Sequence, residues 1–282
     1  MIKLIKYENL LQFKKDVSSF LEQDEVVNNL SLGVLNSAEK TPLLMAVVQR
    51  DEEIVWVMIQ TQHDKIICSK AALLSPDELR LIAEQMHHEF KSIPGLVGDR
   101  KLIVELSGYL SKLRNVTATV EMNQGLYKLE KVKKSILSKG KLRALTEQEQ
   151  GLAKEWVYRF CEDVNLPISM DEADSKADDL IRKGRLMGWE VDGEIVSMAN
   201  GSRPTERNIN INFVYTPIKH RKKGFASDCV AAISQMMLDQ GYQTTSLYTD
   251  LSNPTTNKIY QEIGYEWVTD SVVMRLEEKP CS

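Results

Sequence analysis

The stretch Val214-Tyr215-Thr216-Pro217-Ile218-Lys219-His220-Arg221-Lys222-Lys223-Gly224-Phe225-Ala226-Ser227 decides how this chain is read. An alternating strand, expected over 208–215, runs into a basic loop. The loop runs into a helix expected over 224–240 and stopped by Gly241, which suits a left-handed C-terminal position. Such a helix start is an anion cradle. Its first amides have no intrahelical acceptor, and the aligned peptide dipoles place partial positive charge there. A phosphate or diphosphate accepts several of those amides at once. Gly224 and Ala226 keep bulk away from the backbone, and Arg221, Lys222 and Lys223 add charge for phosphate oxygens. The segment is neither a P-loop nor a dinucleotide fingerprint, because no GxxxxGK[ST] occurs and no GxGxxG follows a strand. Taken alone, it also reads as a solvated surface loop.

A second segment, Leu247 to Tyr265, strengthens the first. A strand over 246–249 leads to Asn253-Pro254 and a helix to Ile263, ended by Gly264. Asn253 suits the N-cap, and Pro254 suits the first helical position. Asn253, Asn257 and Tyr260 fall at i, i+4 and i+7, on one face, while Ile259 and Ile263 form a separate apolar stripe. Two amides and a phenol beside an apolar stripe suit the wall of a ligand site. A cap, a surface amide and a half-buried core tyrosine account for the same spacing.

The R-x-x-G-x-A spacing of Arg221, Gly224 and Ala226 follows a strand ending in V-x-x-P, and the N-x-x-x-x-x-x-Y of Asn253–Tyr260 precedes G-Y. Together these resemble the coenzyme-A-binding motifs of the GNAT N-acetyltransferases, over about residues 142–276. The resemblance implies an α+β mixed-sheet fold and acetyl-CoA as co-substrate. It also implies direct transfer to an amine in a ternary complex. It places the cofactor along Val214, Tyr215 and Thr216, on the amides and side chains of Arg221, Lys222, Lys223, Gly224, Phe225, Ala226 and Ser227, and beside Asn253 and Asn257. Tyr260 becomes the acid that protonates the departing thiolate, and an amide near Tyr215 the oxyanion donor. Many relatives carry a basic carboxylate on the strand before the cradle. Here that strand reads Asn208-Ile209-Asn210-Ile211-Asn212-Phe213, so Glu190 is the carboxylate candidate, and a water held by Asn210 or Asn212 is the alternative. A catalytically silent acyl-CoA-binding module and an acetyltransferase for peptides or proteins are the competing readings.

Outward from this core, the second half reads β-α-α-β-β-β-α-β-α-β-β, with closing strands expected at 265–267 and 272–276. The first half shows a looser version of the same opening: a strand, helices around 10–21 and 26–32, a hairpin over 43–59, a helix opened by Ser75, and strands at 102–105 and 126–132. Either a duplication or two unrelated α/β units produces this echo. A boundary falls at Ser135–Gly140, giving an expected N-terminal α/β domain at 1–137, read either as a degenerate GNAT half or as an unrelated unit, and a catalytic domain at 138–282. No R-x-x-G-x-A precedes residue 140, so the first half is expected to lack a cofactor site.

The bulk properties fit. The 282 residues are 43% hydrophobic and 27% charged, with a formal net charge of -4, which argues against a general nucleic-acid binder. Charges interrupt the N-terminal apolar residues, and no run suits a membrane helix, so a cytosolic protein is expected, as monomer or homodimer. Cys68, Cys161, Cys229 and Cys281 form no CxxC pair and read as buried hydrophobes. No histidine or cysteine spacing suits a metal, so none is expected.

Overall fold

The computed structural model describes residues 1–38, 41–136 and 138–279. Leu137 and Cys281, used above for the boundary and the cysteine reading, lie outside the described residues. The chain divides into two compact units, one of Met1–Leu126, Tyr248–Asn253 and Trp267–Ser282, the other of Tyr127–Leu247 and Pro254–Glu266. Where the sequence suggested a linear division at 137/138, these units are discontinuous.

Through the first part of the chain run β1 (Ile2–Lys6), α1 (Leu10–Leu21), α2 (Asn29–Ser37), β2 (Leu44–Arg50), β3 (Glu53–Gln60), β4 (Ile66–Cys68), α3 (Pro76–Glu89), β5 (Gly95–Asp99), α4 (Arg100–Arg114) and β6 (Val116–Leu129). Then follow β7 (Gly140–Ala144), α5 (Gln150–Asp163), α6 (Met170–Arg182), β8 (Leu186–Val191), β9 (Glu194–Ser202), β10 (Asn208–Tyr215), α7 (Phe225–Asp239), β11 (Thr244–Asp250), α8 (Pro254–Ile263) and β12 (Glu266–Glu278). The order β-α-α-β-β-β-α-β-α occurs twice. The pairing repeats as well. In the first unit β1, β2, β3 and β4 pair antiparallel in turn, and β4 pairs parallel to β5. In the second, β7, β8, β9 and β10 pair antiparallel in turn, and β10 pairs parallel to β11. The echo in the sequence is therefore an echo of architecture.

Each unit buries both faces of its strands, which is why they read as near-continuous apolar runs. In β2, Ala46 and Val48 face a core with Ile82, Met86, Ile103 and Leu106 from α3 and α4. Met45 and Val47, one residue out of phase, face Phe13, Val17, Leu21 and Leu35 from α1 and α2. In the second unit Ile209 and Ile211 of β10 pack under Val230, Ile233 and Met237 of α7 and Ile263 of α8. The opposite face holds Met198 and Tyr215 against Val157 of α5 and Ala177 and Leu180 of α6. A Cβ at Gly140 would collide with the ring of Trp189, which fixes glycine at the start of β7. Among the described residues no helix is long and apolar enough to cross a membrane.

Three expectations need correction. Leu102–Glu105 is helix, the opening of α4. Asp99 caps it, its Oδ1 accepting from the Leu102 amide at 3.1 Å, and Ile103, Leu106 and Leu110 line the buried face. Leu102-Ile103-Val104 is too short an apolar run for periodicity to separate helix from strand. The second helix starts at Asn29, three residues beyond Val26. The closing strands at 265–267 and 272–276 are one strand, β12, which pairs antiparallel with β5 of the first unit from Ser271↔Asp99 to Arg275↔Gly95.

Candidate functional site

Strands β10 and β11 pair in parallel only through Asn208↔Thr244, Ile209↔Thr245 and Asn210↔Ser246. Beyond Asn210 no ladder partner follows on that side among the described residues. On its other side β10 pairs with β9 through Asn212↔Asn200 and resumes at Tyr215↔Met198. Phe213 and Val214 fall in the resulting bulge, with Phe213 at φ 49°. A bulge re-aims a strand end, and a bulky residue with positive φ is held there only by its surroundings. Phe213 is held by Phe160, ring centroids 5.0 Å apart. Ser197 ties the strand end down, its hydroxyl donating to the Tyr215 carbonyl at 3.2 Å and meeting Thr216 Oγ1 at 2.8 Å. The Tyr215 ring packs on Trp156 at 5.7 Å and is buried, while Val214 and Thr216 are half-buried.

After Thr216 the chain makes one short 3-10 turn, Ile218–His220, and enters α7 through two residues of left-handed backbone, Lys222 at φ 63° and Gly224 at φ 83°. Gly224 is the N-cap and supplies no side-chain acceptor. None of the amides from Lys222 to Ser227 donates to another described group. A Cβ built at Gly224 meets nothing within 4 Å. The residues present therefore fit a diphosphate: the amides are bare and the space before them is open.

The corresponding start of α3 in the first unit is closed. Ser75 accepts from the Glu78 amide at 3.2 Å, and Glu78 accepts from the Ser75 amide at 2.8 Å, a complete capping box. Glu78 is held by Arg50 at 2.8 Å, which keeps its carboxyl below the usual range. A carboxylate occupying a helix start excludes phosphate. This start of α3 is thus filled by its own side chains, unlike that of α7.

The basic residues of the second unit's loop divide into two kinds. Arg221 donates to the Thr216 carbonyl at 2.8 Å and to Asp163 at 2.6 Å, and stands over the Tyr215 ring at 5.8 Å. It shapes the loop. Lys219 pairs with Glu194 at 2.6 Å. His220 is buried, 3.2 Å from Glu194, and packs on Phe225, so it supports the loop from beneath. Lys222 and Lys223 are exposed and pair with no described group. Replacing both by glutamine is expected to weaken coenzyme A binding about 10-fold, at about 0.5–1 kcal/mol per exposed pair. The loss should shrink as salt is raised, which calorimetric titration at two ionic strengths checks.

One neighbour of the cradle escaped the sequence reading. Asp228, 1% exposed, sits in the first turn of α7 and receives Lys134 Nζ at 2.6 Å and the Ser138 amide at 2.9 Å. Burial pulls its carboxyl upward, but Lys134 and Ser138 outweigh burial, and the group stays ionised below its ordinary value. Lys134 also donates to Ser227 Oγ at 2.8 Å. The pair cancels a negative charge that would otherwise oppose an anion at this helix start. Lys134 lies next to the stretch read only as a boundary, so spacing gave no hint of it.

On α8, Tyr260 is buried against Tyr265, ring centroids 5.9 Å apart in an edge-on arrangement. Burial and the neighbouring phenol push its pKa upward, so the hydroxyl keeps its proton at neutral pH. That hydroxyl bonds to no described residue, whereas Tyr265 is engaged by Ser234 and Thr245, each at 2.8 Å. Asn257 is half-buried one turn earlier. Asn253 precedes the helix and belongs to the first unit, its amide donating to the Asp250 carbonyl at 3.1 Å.

Glu190 is placed otherwise than a base requires. Its carboxylate takes Arg143 Nε at 2.5 Å and Lys141 at 3.0 Å, and these cations hold its pKa below the ordinary value. Arg143 also binds Glu149 at 2.9 Å and lowers that carboxyl to about 2. These are groups whose folded pKa is depressed. Their contribution to stability is present above about pH 4.5 and is lost as pH falls towards 2. Arg143→Met should therefore cost about 1 kcal/mol at neutral pH and flatten the acid limb of the stability curve, which thermal melts from pH 7 to 3 check.

Of the asparagines on β10, Asn210 is spent, donating to the Ser246 carbonyl at 3.1 Å and accepting from Arg203 at 2.6 Å. Asn212 is half-buried beside the bulge and accepts from Asn200 at 2.9 Å, and its own Nδ2 bonds no described group.

The chain's fold has counterparts among known proteins. The family model described as the acetyltransferase (GNAT) family matches residues 152–265. Residues 152–265 are a GNAT acetyltransferase domain. An acetyltransferase of the GNAT family from Colwellia psychrerythraea superposes with a TM-score of 0.65 at 12% identity, over 98% of this chain and 100% of its own. A GCN5-related N-acetyltransferase from Sphaerobacter thermophilus gives 0.63 at 12% identity, covering 99% and 96%. A tandem GNAT protein from the clavulanic acid biosynthesis pathway gives 0.59 at 10% identity and covers both chains completely. At such identities the likeness speaks to the fold, and it fits a two-domain GNAT arrangement over the whole chain. No curated protein matches the sequence. Within the GNAT domain, the bare amides, the splayed strand and Tyr260 come from β10, α7 and α8.

Proposed function

We propose that the GNAT domain transfers an acetyl group from acetyl-CoA to a primary amine of a small or amino-acid-like acceptor, by direct attack in a ternary complex. The observation that carries this reading is the uncapped start of α7, where the amides from Lys222 to Ser227 donate to no described group and the space before Gly224 is open. Bound acetyl-CoA supplies the activated thioester.

The chain's own residues do the rest. The amides from Lys222 to Ser227 donate to the diphosphate oxygens, with Lys222 and Lys223 neutralising their charge and Arg221 holding the loop in shape. Unpaired backbone along the β11 side of β10, through Val214 and Thr216, aligns the pantetheine arm, with Asn257 lending its amide. A backbone amide at the bulge near Tyr215 donates to the carbonyl oxygen as charge develops. Holding both reactants at the parted strands supplies rate through proximity. Tyr260 delivers its proton to the sulfur as the C–S bond breaks. Glu190, spent on two cations, is not needed. Asn212 orients a water that carries the ammonium proton away before attack.

Release of free thiol from acetyl-CoA, followed with small amines, amino acids and polyamines, tests the proposal. Turnover with at least one small amine is the expected result. Turnover only with peptides would move the acceptor to proteins, and tight coenzyme A binding without turnover on any amine would leave a silent binding module.

A further inference from the structure

The first unit contains a cavity of about 240 Å³ at the C-terminal ends of its parallel strands β4 and β5. Ligands of open α/β sheets collect at such strand ends. One wall is apolar, made by Val27, Leu30, Ile67 and Val97. The rest is polar in an unbalanced way. Ser31 is 2% exposed and Ser271 6% exposed, and neither hydroxyl bonds to any described residue. Both residues line the cavity, so their hydroxyls are free to bond a molecule that occupies it.

The charge of the lining is negative. Asp24 and Lys70 cancel each other at 2.9 Å. Asp99 and Asp270 remain. Asp99 uses Oδ1 to cap α4, and Asp270 uses Oδ1 to accept from Trp267 Nε1 at 2.9 Å. The second oxygen of each carboxylate has no described partner.

Size and charge together narrow the occupant. At about 30 Å³ per water the cavity holds roughly eight waters, or one compact organic molecule. Two carboxylates reject anions. We propose that this cavity is a binding site for a small primary-amine cation, separate from the acyl-transfer site. Its ammonium donates to Asp99 Oδ2 and Asp270 Oδ2, its polar end meets Ser31 and Ser271, and its carbon chain lies on Val27, Leu30 and Ile67. The site does not depend on the function proposed for the GNAT domain.

Calorimetric titration of the full chain with ethanolamine, putrescine and isobutylamine tests this, with acetate and isobutanol as controls of similar size. At least one amine should bind and both controls should not. The double variant Asp99→Asn, Asp270→Asn should weaken that binding at least about 10-fold. Asparagine still caps a helix and still accepts from Trp267, so melting temperature and coenzyme A binding should be unchanged. Val27→Trp, which fills the cavity from its rim, should abolish amine binding without touching either carboxylate. Failure of every amine to bind at about 10 mM would overturn the proposal. So would amine binding that survives in both variants, which would place it elsewhere, or equal binding of the neutral control.

Discussion

Replacing Gly224 by glutamate is expected to abolish acetyl-CoA binding, with a loss of at least about 100-fold in affinity, or about 2.7 kcal/mol. Three effects add. Gly224 sits at φ 83°, where a residue bearing a Cβ is strained by about 1–2 kcal/mol. The Cβ would enter the space that now lies open before the first turn of α7. The new carboxylate would also meet the diphosphate head-on, and as an acidic group at a helix start it would take the bare amides for itself. Gly224→Ala separates these contributions. It keeps the strain and part of the bulk but adds no charge, so its loss should be several-fold smaller. Titration of coenzyme A into both variants, with circular dichroism as a control for folding, gives the comparison.

Tyr260→Phe should lower kcat about 100-fold or more while leaving the Kd for acetyl-CoA within a factor of about two. The ring stays, so its packing on Tyr265 survives. Only the hydroxyl is lost, and it has no described partner, so little stability goes with it. A proton donor used only as the C–S bond breaks contributes to the transition state and not to binding. Single-turnover kinetics beside equilibrium titration separates the two quantities. Unchanged turnover would remove Tyr260 from the acid role.

Much of the second unit was legible because its signals were local and consistent. Gly241 and Gly264 adopt the positive φ their positions suggested. The uncapped start of α7 was legible for the same reason, since glycine at the N-cap brings no side-chain acceptor. What stayed hidden depends on distant partners. Lys134 meets Asp228 across 94 residues, and no spacing rule joins them. Arg143 takes Glu190 out of the chemistry across 47 residues. The bulge at Phe213 leaves no mark in an alternating strand. In the first unit β4 spans three residues and β5 carries two glycines, too little for periodicity to detect. That β12 pairs with β5 is a contact between segments far apart in the chain, which local pattern does not encode.

The proposed function depends on one helix start. A crystal structure of the chain with coenzyme A measures it directly. Diphosphate oxygens should lie within about 3 Å of several amides between Lys222 and Ser227. A nucleotide bound away from that turn, with those amides still bare, would contradict the account.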